Sequence, residues 1–187
     1  MKKLIALGAL ALLGACGQES MSSGVAREIE RAEQAREAAA ASAVADSQAF
    51  LDAQRARQGV QATASGLLYE VRRPAPNPNL ARPSRNAQVL VHYEGRLPNG
   101  EVFDSSFERG QPAEFPLAGV VPGFAEALML MRPGEEIVAY LPAPLGYGEA
   151  GMAPGIPPNT ALQFRIQLLA FAGPDGRIVA APGLERR

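Results

Sequence analysis

The chain has 187 residues, a formal net charge of −1 and 20% charged residues, so nothing in its balance points to a nucleic-acid surface. One cysteine and one histidine exclude an internal disulfide framework and a zinc cluster of Cys and His. The length allows one domain with a useful core, plus extensions.

Residues 1–15 read as a targeting segment. Met1-Lys2-Lys3 is a basic start, Leu4 to Leu13 is an apolar run, and Gly14-Ala15-Cys16 supplies small residues. The run is too short to cross a bilayer as a helix and has the layout of a secretion signal. Residues 16–24 are small and polar and read as a tether.

Val25 to Arg57 contains no Pro or Gly and is rich in Ala, Glu, Arg and Gln, which predicts a helical segment over residues 25–59, stopped by Gly59. A continuous helix there would be ~50 Å long. Its apolar stripe is thin: Val25, Ile29, Ala32, Ala39, Val44 and Leu51. Asp46-Ser47 reads as the cap of a second helix carrying Phe50 and Leu51. Two roles stay open, a solvated spacer and a helix that pairs two copies as a homodimer.

Residues 60–172 predict the folded domain. Leu67, Tyr69 and Val71 alternate as a strand, and Pro74, Pro76, Pro78 and Pro83 make an extended loop without regular structure. Val89, Val91 and Tyr93 alternate with Leu90, His92 and Glu94, the pattern of a half-buried strand. Asn99-Gly100 is a hairpin turn signal. The return, Val102-Phe103-Asp104, sets an aromatic ring beside a carboxylate near the face of Tyr93. That places an acid at the rim of an apolar pocket, with His92 on the opposite face.

Glu108 to Pro112 is a polar loop. Phe115 and Leu117 lie on a short strand that Pro116 places at an edge. Pro122 suits the first position of a helix, and Phe124, Ala127, Leu128 and Met131 form one apolar face. Ile137, Ala139 and Leu141 alternate again. Gly146 to Pro158 is a long loop, and Leu162, Phe164, Ile166 and Leu168 share one face of the last strand. Residues 173–187, broken by Gly and Pro, read as a loose tail. The fold class expected is α+β, an antiparallel sheet with a short helix on one face, preceded by an α-helical segment.

Conventional catalysis is poorly supplied. With His92 outside the pocket there is no Ser-His-Asp site, Asp104 has no partner acid for glycosidase chemistry, and no phosphate loop occurs. Neither a metal nor a cofactor is expected.

The segment Val91-His92-Tyr93-Glu94-Gly95-Arg96-Leu97-Pro98-Asn99-Gly100-Glu101-Val102-Phe103-Asp104-Ser105-Ser106 resembles the signature of the FKBP-type peptidyl-prolyl cis-trans isomerases. In the same order and spacing follow Phe115-Pro116-Leu117, Val120-Val121-Pro122-Gly123-Phe124, Arg132-Pro133-Gly134-Glu135, Gly146-Tyr147-Gly148 and Ile156-Pro157-Pro158-Asn159. The resemblance covers about residues 60–171. It implies a twisted antiparallel sheet wrapped around a short α-helix. It also implies isomerisation of X-Pro bonds in unfolded or partly folded polypeptides, and a groove able to bind macrolides.

Tyr93, Phe103, Phe115, Val120, Val121, Phe124 and Phe164 match the lining of the proline pocket, together with Ile156. Asp104 matches the acid near the substrate carbonyl, Tyr147 a hydroxyl donor, and the Ile156 backbone N–H a second donor. Two positions depart from the pattern: Phe124 stands where most of the family has Trp, and Ala113 where many have an aromatic.

Leu13-Gly14-Ala15-Cys16 resembles the bacterial lipobox, which implies cleavage before Cys16 and a lipid anchor on its sulfur. Gly17 after the cysteine favours the outer membrane, so the expected place is the periplasmic side of a bacterial envelope. Relatives of the macrophage-infectivity-potentiator type dimerise through a longer N-terminal helical region. Two rival functions stay open beside the isomerase: a non-catalytic periplasmic chaperone or binding module using the same groove, and a lipoprotein that acts through the 25–57 helix.

Overall fold

The structure, a computed structural model, describes residues 18–184, with side chains from Gly24 onward. Cys16 and the signal segment lie outside the described residues. The chain divides into two units, one ending at Ala39 and one beginning at Ala40.

Helix α1 runs Gln18–Arg55. It begins inside the stretch expected to be a tether. Three serines and Gly24 lower helix propensity there by under ~1 kcal/mol each, without the ~3 kcal/mol of a proline. The helix also passes unbroken through Asp46-Ser47, so no second helix is capped there. In the first unit the helix carries Val25 and Ile29 exposed.

In the second unit α1 is part of the domain. Leu51 and Phe50 pack with Val60 on Leu68, Val138, Tyr140 and Ala161. The Phe50 and Tyr140 rings meet edge to face, 5.9 Å apart at 66°. A boundary at residue 59/60 is therefore corrected: the last turns of the helix belong to the domain core.

Among the described residues the sheet has eight strands, all antiparallel. β1 (Gln61–Ala62) and β2 (Leu68–Arg73) lead through β6 (Glu136–Leu141) and β7 (Leu162–Ala172) to β3 (Gln88–Arg96) and β4 (Val102–Ser105). β5 (Ala113–Pro116) also pairs with β3, and β8 (Ile178–Ala180) with β7. Val89, Val91 and Tyr93 on β3 are buried, and so are Leu162, Phe164, Ile166 and Leu168 on β7. β6 is buried on both faces, Val138 and Tyr140 included, because α1 covers the face that alternation leaves to solvent.

The short helix α2, Pro122–Leu130, has Pro at its first turn and buries Phe124, Ala125, Ala127 and Leu128 against the other face. The β3–β4 hairpin closes through Pro98-Asn99-Gly100, with the Gly100 N–H on the Leu97 carbonyl at 2.9 Å and only Gly100 at positive φ (+88°). This is a three-residue loop with its glycine in the left-handed region.

The tail expected to be loose is also corrected. Gly173 to Gly176 forms a tight return, in which the Gly173 N–H bonds the Arg177 carbonyl at 2.9 Å, and β8 then pairs Ala180 with Ala170. Asp175-Gly176 is itself a turn signal, and pairing with β7 satisfies the backbone that the Gly and Pro content suggested was free.

Removing the Leu51 side chain (Leu51→Ala) is expected to lower unfolding stability by about 2–4 kcal/mol, a buried large-to-small change. Val25→Ala, at an exposed helical position, should stay within about 0.5 kcal/mol of the parent. Urea unfolding of both variants measures the difference.

Candidate active site

At the open end of the sheet, next to the start of α2, lies a cleft of about 290 Å³. Phe124 forms its floor. Its ring meets those of Phe164 (5.0 Å, 65°), Tyr93 (5.8 Å, 76°) and Phe115 (6.2 Å, 89°) edge to face. Phe103 stands perpendicular to Phe164 at 5.6 Å. Val120 and Val121, just before the helix, complete the apolar wall, and Asp104 and Tyr147 lie at the polar edge. Seven of the eight residues matched to the proline pocket thus line one cleft.

Ile156 does not. It is 3% exposed in the core, outside the lining, and its N–H donates to the Met152 carbonyl at 2.8 Å. The second donor implied by the resemblance is therefore already engaged within its loop. Nothing in the sequence signals this pairing, which closes a three-residue reversal through Ala153, Pro154 and Gly155.

Asp104 is not alone. Its carboxylate accepts hydrogen bonds from the Tyr93 hydroxyl and from Nη1 of Arg109, and Nη2 of Arg109 donates to the Tyr93 hydroxyl at 3.0 Å. The guanidinium also lies over the Tyr93 ring, 5.5 Å from its centre. Sequence reasoning missed Arg109, which sits on the exposed polar loop. The turn that returns it is built by Ser105, whose Oγ accepts the Glu108 N–H at 3.2 Å, and by the Gly110 N–H on the Phe107 carbonyl at 3.1 Å.

Burial pushes the Asp104 carboxyl up, but the hydrogen bonds from Tyr93 and Arg109 and the guanidinium charge outweigh it and hold the group below the ordinary carboxylate range. The Tyr93 phenol is raised, first by burial and then by its bond to Asp104. Tyr147 is raised by burial and by the negative field of Asp104, so its hydroxyl keeps its proton and stays a donor.

His92 points away from the cleft, as its alternation with Tyr93 requires. It stacks on Phe107 at 4.9 Å and 19°, and its Nδ1 lies 3.1 Å from Ser106 Oγ. Ser106 is no nucleophile. It is fully buried, and its Oγ accepts the Tyr93 N–H at 2.8 Å. Its effect is to lock the backbone that carries Tyr93.

Gly95 on β3 supports the cleft from behind. A Cβ there would press into the Phe103 ring and lie 2.9 Å from Cε1 of Phe164. Among the described residues no group of three His, Cys, Asp or Glu side chains converges as a metal site. The arrangement is a shaped apolar receptor with a charged clamp on its rim, of a form that can take a compact apolar group.

Comparison with known proteins narrows that class. The FKBP-type peptidyl-prolyl cis-trans isomerase family matches residues 80–169, and the domain amino terminal to FKBP-type peptidyl-prolyl isomerase matches residues 13–71. The chain is 49% identical to the peptidyl-prolyl cis-trans isomerase Mip of Coxiella burnetii over 66% of its own length and 53% of that protein. It is 42% identical to the FKBP-type 22 kDa peptidyl-prolyl cis-trans isomerase of Escherichia coli, over 76% of its own length and 68% of that protein. The crystal structure of FkpA from Escherichia coli superimposes with a TM-score of 0.72 at 32% identity, covering 92% of this chain and 76% of that one. The chain therefore belongs to the FKBP-type peptidyl-prolyl cis-trans isomerases, with an α+β fold of that family. It spans about half the length of the Mip protein it matches.

Two consequences can be measured. Gly95→Ala should lower stability by about 1–3 kcal/mol through overpacking, seen as a lower urea midpoint. Arg109→Met removes a bond and a charge that favour the ionised Asp104, so the carboxyl should titrate at higher pH by NMR. The sign follows from linkage. A depressed folded pKa contributes stability that is present above the unfolded value, about 4, and is lost as pH falls through the folded one. The parent should accordingly lose this contribution from about pH 4 downward, while in the variant the loss should be smaller and end at higher pH.

Proposed function

We propose that the cleft accelerates cis-trans exchange of X-Pro peptide bonds in unfolded or partly folded proteins, by binding alone. The observation that carries this is the cleft itself: an aromatic floor and walls, with a protonated hydroxyl and an ionised carboxylate confined to the rim. The barrier to exchange is the partial double bond of the peptide C–N, ~18–20 kcal/mol. Twisting the bond removes the resonance and makes the amide less polar. An apolar cleft that fits a proline ring therefore favours the twisted form over the planar one, which is differential binding without covalent chemistry. A thousandfold acceleration requires only ~4 kcal/mol.

In this reading Phe124, Phe164, Tyr93 and Phe103 hold the proline ring. Tyr147 donates a hydrogen bond to a substrate carbonyl, and Asp104, fixed by Tyr93 and Arg109, shapes the field at the rotating bond. With the Ile156 amide engaged by Met152, Tyr147 carries the donor role at the rim. Macrolides would enter the same groove. Phe124 keeps an aromatic floor while giving no N–H donor at the position where most of the family has Trp.

The same reading extends to location. Leu13-Gly14-Ala15-Cys16 supports an envelope protein anchored by lipid at Cys16, on the periplasmic side of an outer membrane, with extracytoplasmic proteins as substrates. One acyl chain anchors marginally and each buried CH₂ adds ~0.8 kcal/mol, so several chains on one residue would hold it durably.

Exchange in a short proline peptide is the test. The chain should accelerate it, and Tyr147→Phe should reduce kcat/KM about fivefold, the worth of one neutral hydrogen bond. Asp104→Leu should also reduce it. A folded chain that gives no acceleration would sink the isomerase reading and favour a groove that holds segments without turning them over.

A further inference from the structure

We infer that Ser47 on α1 is a positioning residue for the cleft, acting through the 146–160 loop on Tyr147. The inference rests on the isomerase reading above. Ser47 is 7% exposed and does not line the cleft. Its Oγ donates to the Asn159 carbonyl at 2.9 Å and accepts the Ala161 N–H at 2.9 Å. Both partners lie at the end of the loop, just before β7 begins at Leu162.

From there the connection to the cleft is one hydrogen bond long. The Asn159 N–H donates to the Gly148 carbonyl at 2.8 Å, and Gly148 follows Tyr147 directly. The loop is thus closed on itself between Gly148 and Asn159, and the closure is fixed to α1 by Ser47. Asn159 holds a positive φ of +57°, a turn conformation that Asn tolerates. Ser47 fixes this turn to the helix, with one hydroxyl satisfying the carbonyl of Asn159 and the amide two residues on.

Leu51 of the same helix is anchored on the sheet together with Ala161, so Ser47 cannot easily drift away from its partners. An alanine at 47 would leave a half-buried carbonyl and a buried amide without partners, and the loop would relax at the end that sets Tyr147. Peptide-length substrates would register the change although no atom of Ser47 reaches the cleft.

The experiment is a double-mutant cycle on the full chain: parent, Ser47→Ala, Tyr147→Phe and the double variant, each assayed for exchange in a short proline peptide. Backbone amide exchange at Asn159 is followed by NMR in parent and Ser47→Ala. Ser47→Ala should lower kcat/KM about fivefold, and the loss should disappear in the Tyr147→Phe background, as for neighbours that act as one unit. Asn159 should exchange faster in the Ser47→Ala variant.

An equal loss in both backgrounds, no loss, or unchanged exchange at Asn159 would overturn the inference while leaving the isomerase reading in place. A parent chain without acceleration would overturn that reading instead, and amide exchange would still report on the clamp. If Ser47→Ala does not fold, Ser47→Cys keeps the side-chain connectivity with a slightly larger atom, weakens both hydrogen bonds and answers the same questions.

Discussion

The domain depends on one packing constraint, the insertion of Phe124 into the concave face of the sheet. A nine-residue helix is far below the length at which helices hold together in water. α2 exists because its start is fixed by Pro122 and because Phe124, Ala125, Ala127 and Leu128 are buried by β3, β6 and β7. The Phe124 ring gives three edge-to-face contacts in return, each of order ~1 kcal/mol beyond its area. The cleft is the space between the beginning of that helix and the end of the sheet. Fold and site therefore share a residue, and the floor cannot shift without disturbing the core.

Polarity is confined to the rim, and that confinement has a structural cause. Tyr93 is 6% exposed, and a buried phenol needs a partner for its hydroxyl. Asp104 and Arg109 provide it. Their side chains are 40% and 51% exposed, so as a surface ion pair they contribute little to stability. What they fix is geometry and charge state: the tilt of the Tyr93 ring, and a carboxylate that stays ionised. Ser106, buried behind Tyr93, holds the same residue by its backbone.

The parts of this arrangement that sequence could reveal are those with local periodicity. β3, β7 and the apolar face of α2 follow directly from alternation and from i, i+3, i+4 spacing, and the side on which His92 lies follows from Tyr93. Residues with no local signature were not legible. Arg109 looks like any exposed loop arginine until Ser105 turns the chain back. Ser47 read as a helix cap because Asp-Ser favours caps, yet its partner is 112 residues away. Val138 and Tyr140 broke the alternation of β6 because a helix from the far end of the chain covers them. The tail looked loose because its pairing with β7 depends on tertiary contact rather than composition.

A site that works by binding alone, as proposed here, has different weak points from one built on a nucleophile. Where a reaction depends on one proton transfer, most of the rate sits in two or three groups. Here each wall of the cleft comes from a different element: Tyr93 from β3, Phe103 and Asp104 from β4, Phe115 from β5, Phe124 from α2, Tyr147 from the loop and Phe164 from β7. On the reading proposed above, selectivity for a twisted amide would be a property of how those elements are held, to fractions of an ångström. A serine on a helix outside the cleft can matter to such a site for the same reason that Gly95 does. On that reading both act on the position of the side chains that line the cleft, and not on the reacting bond itself.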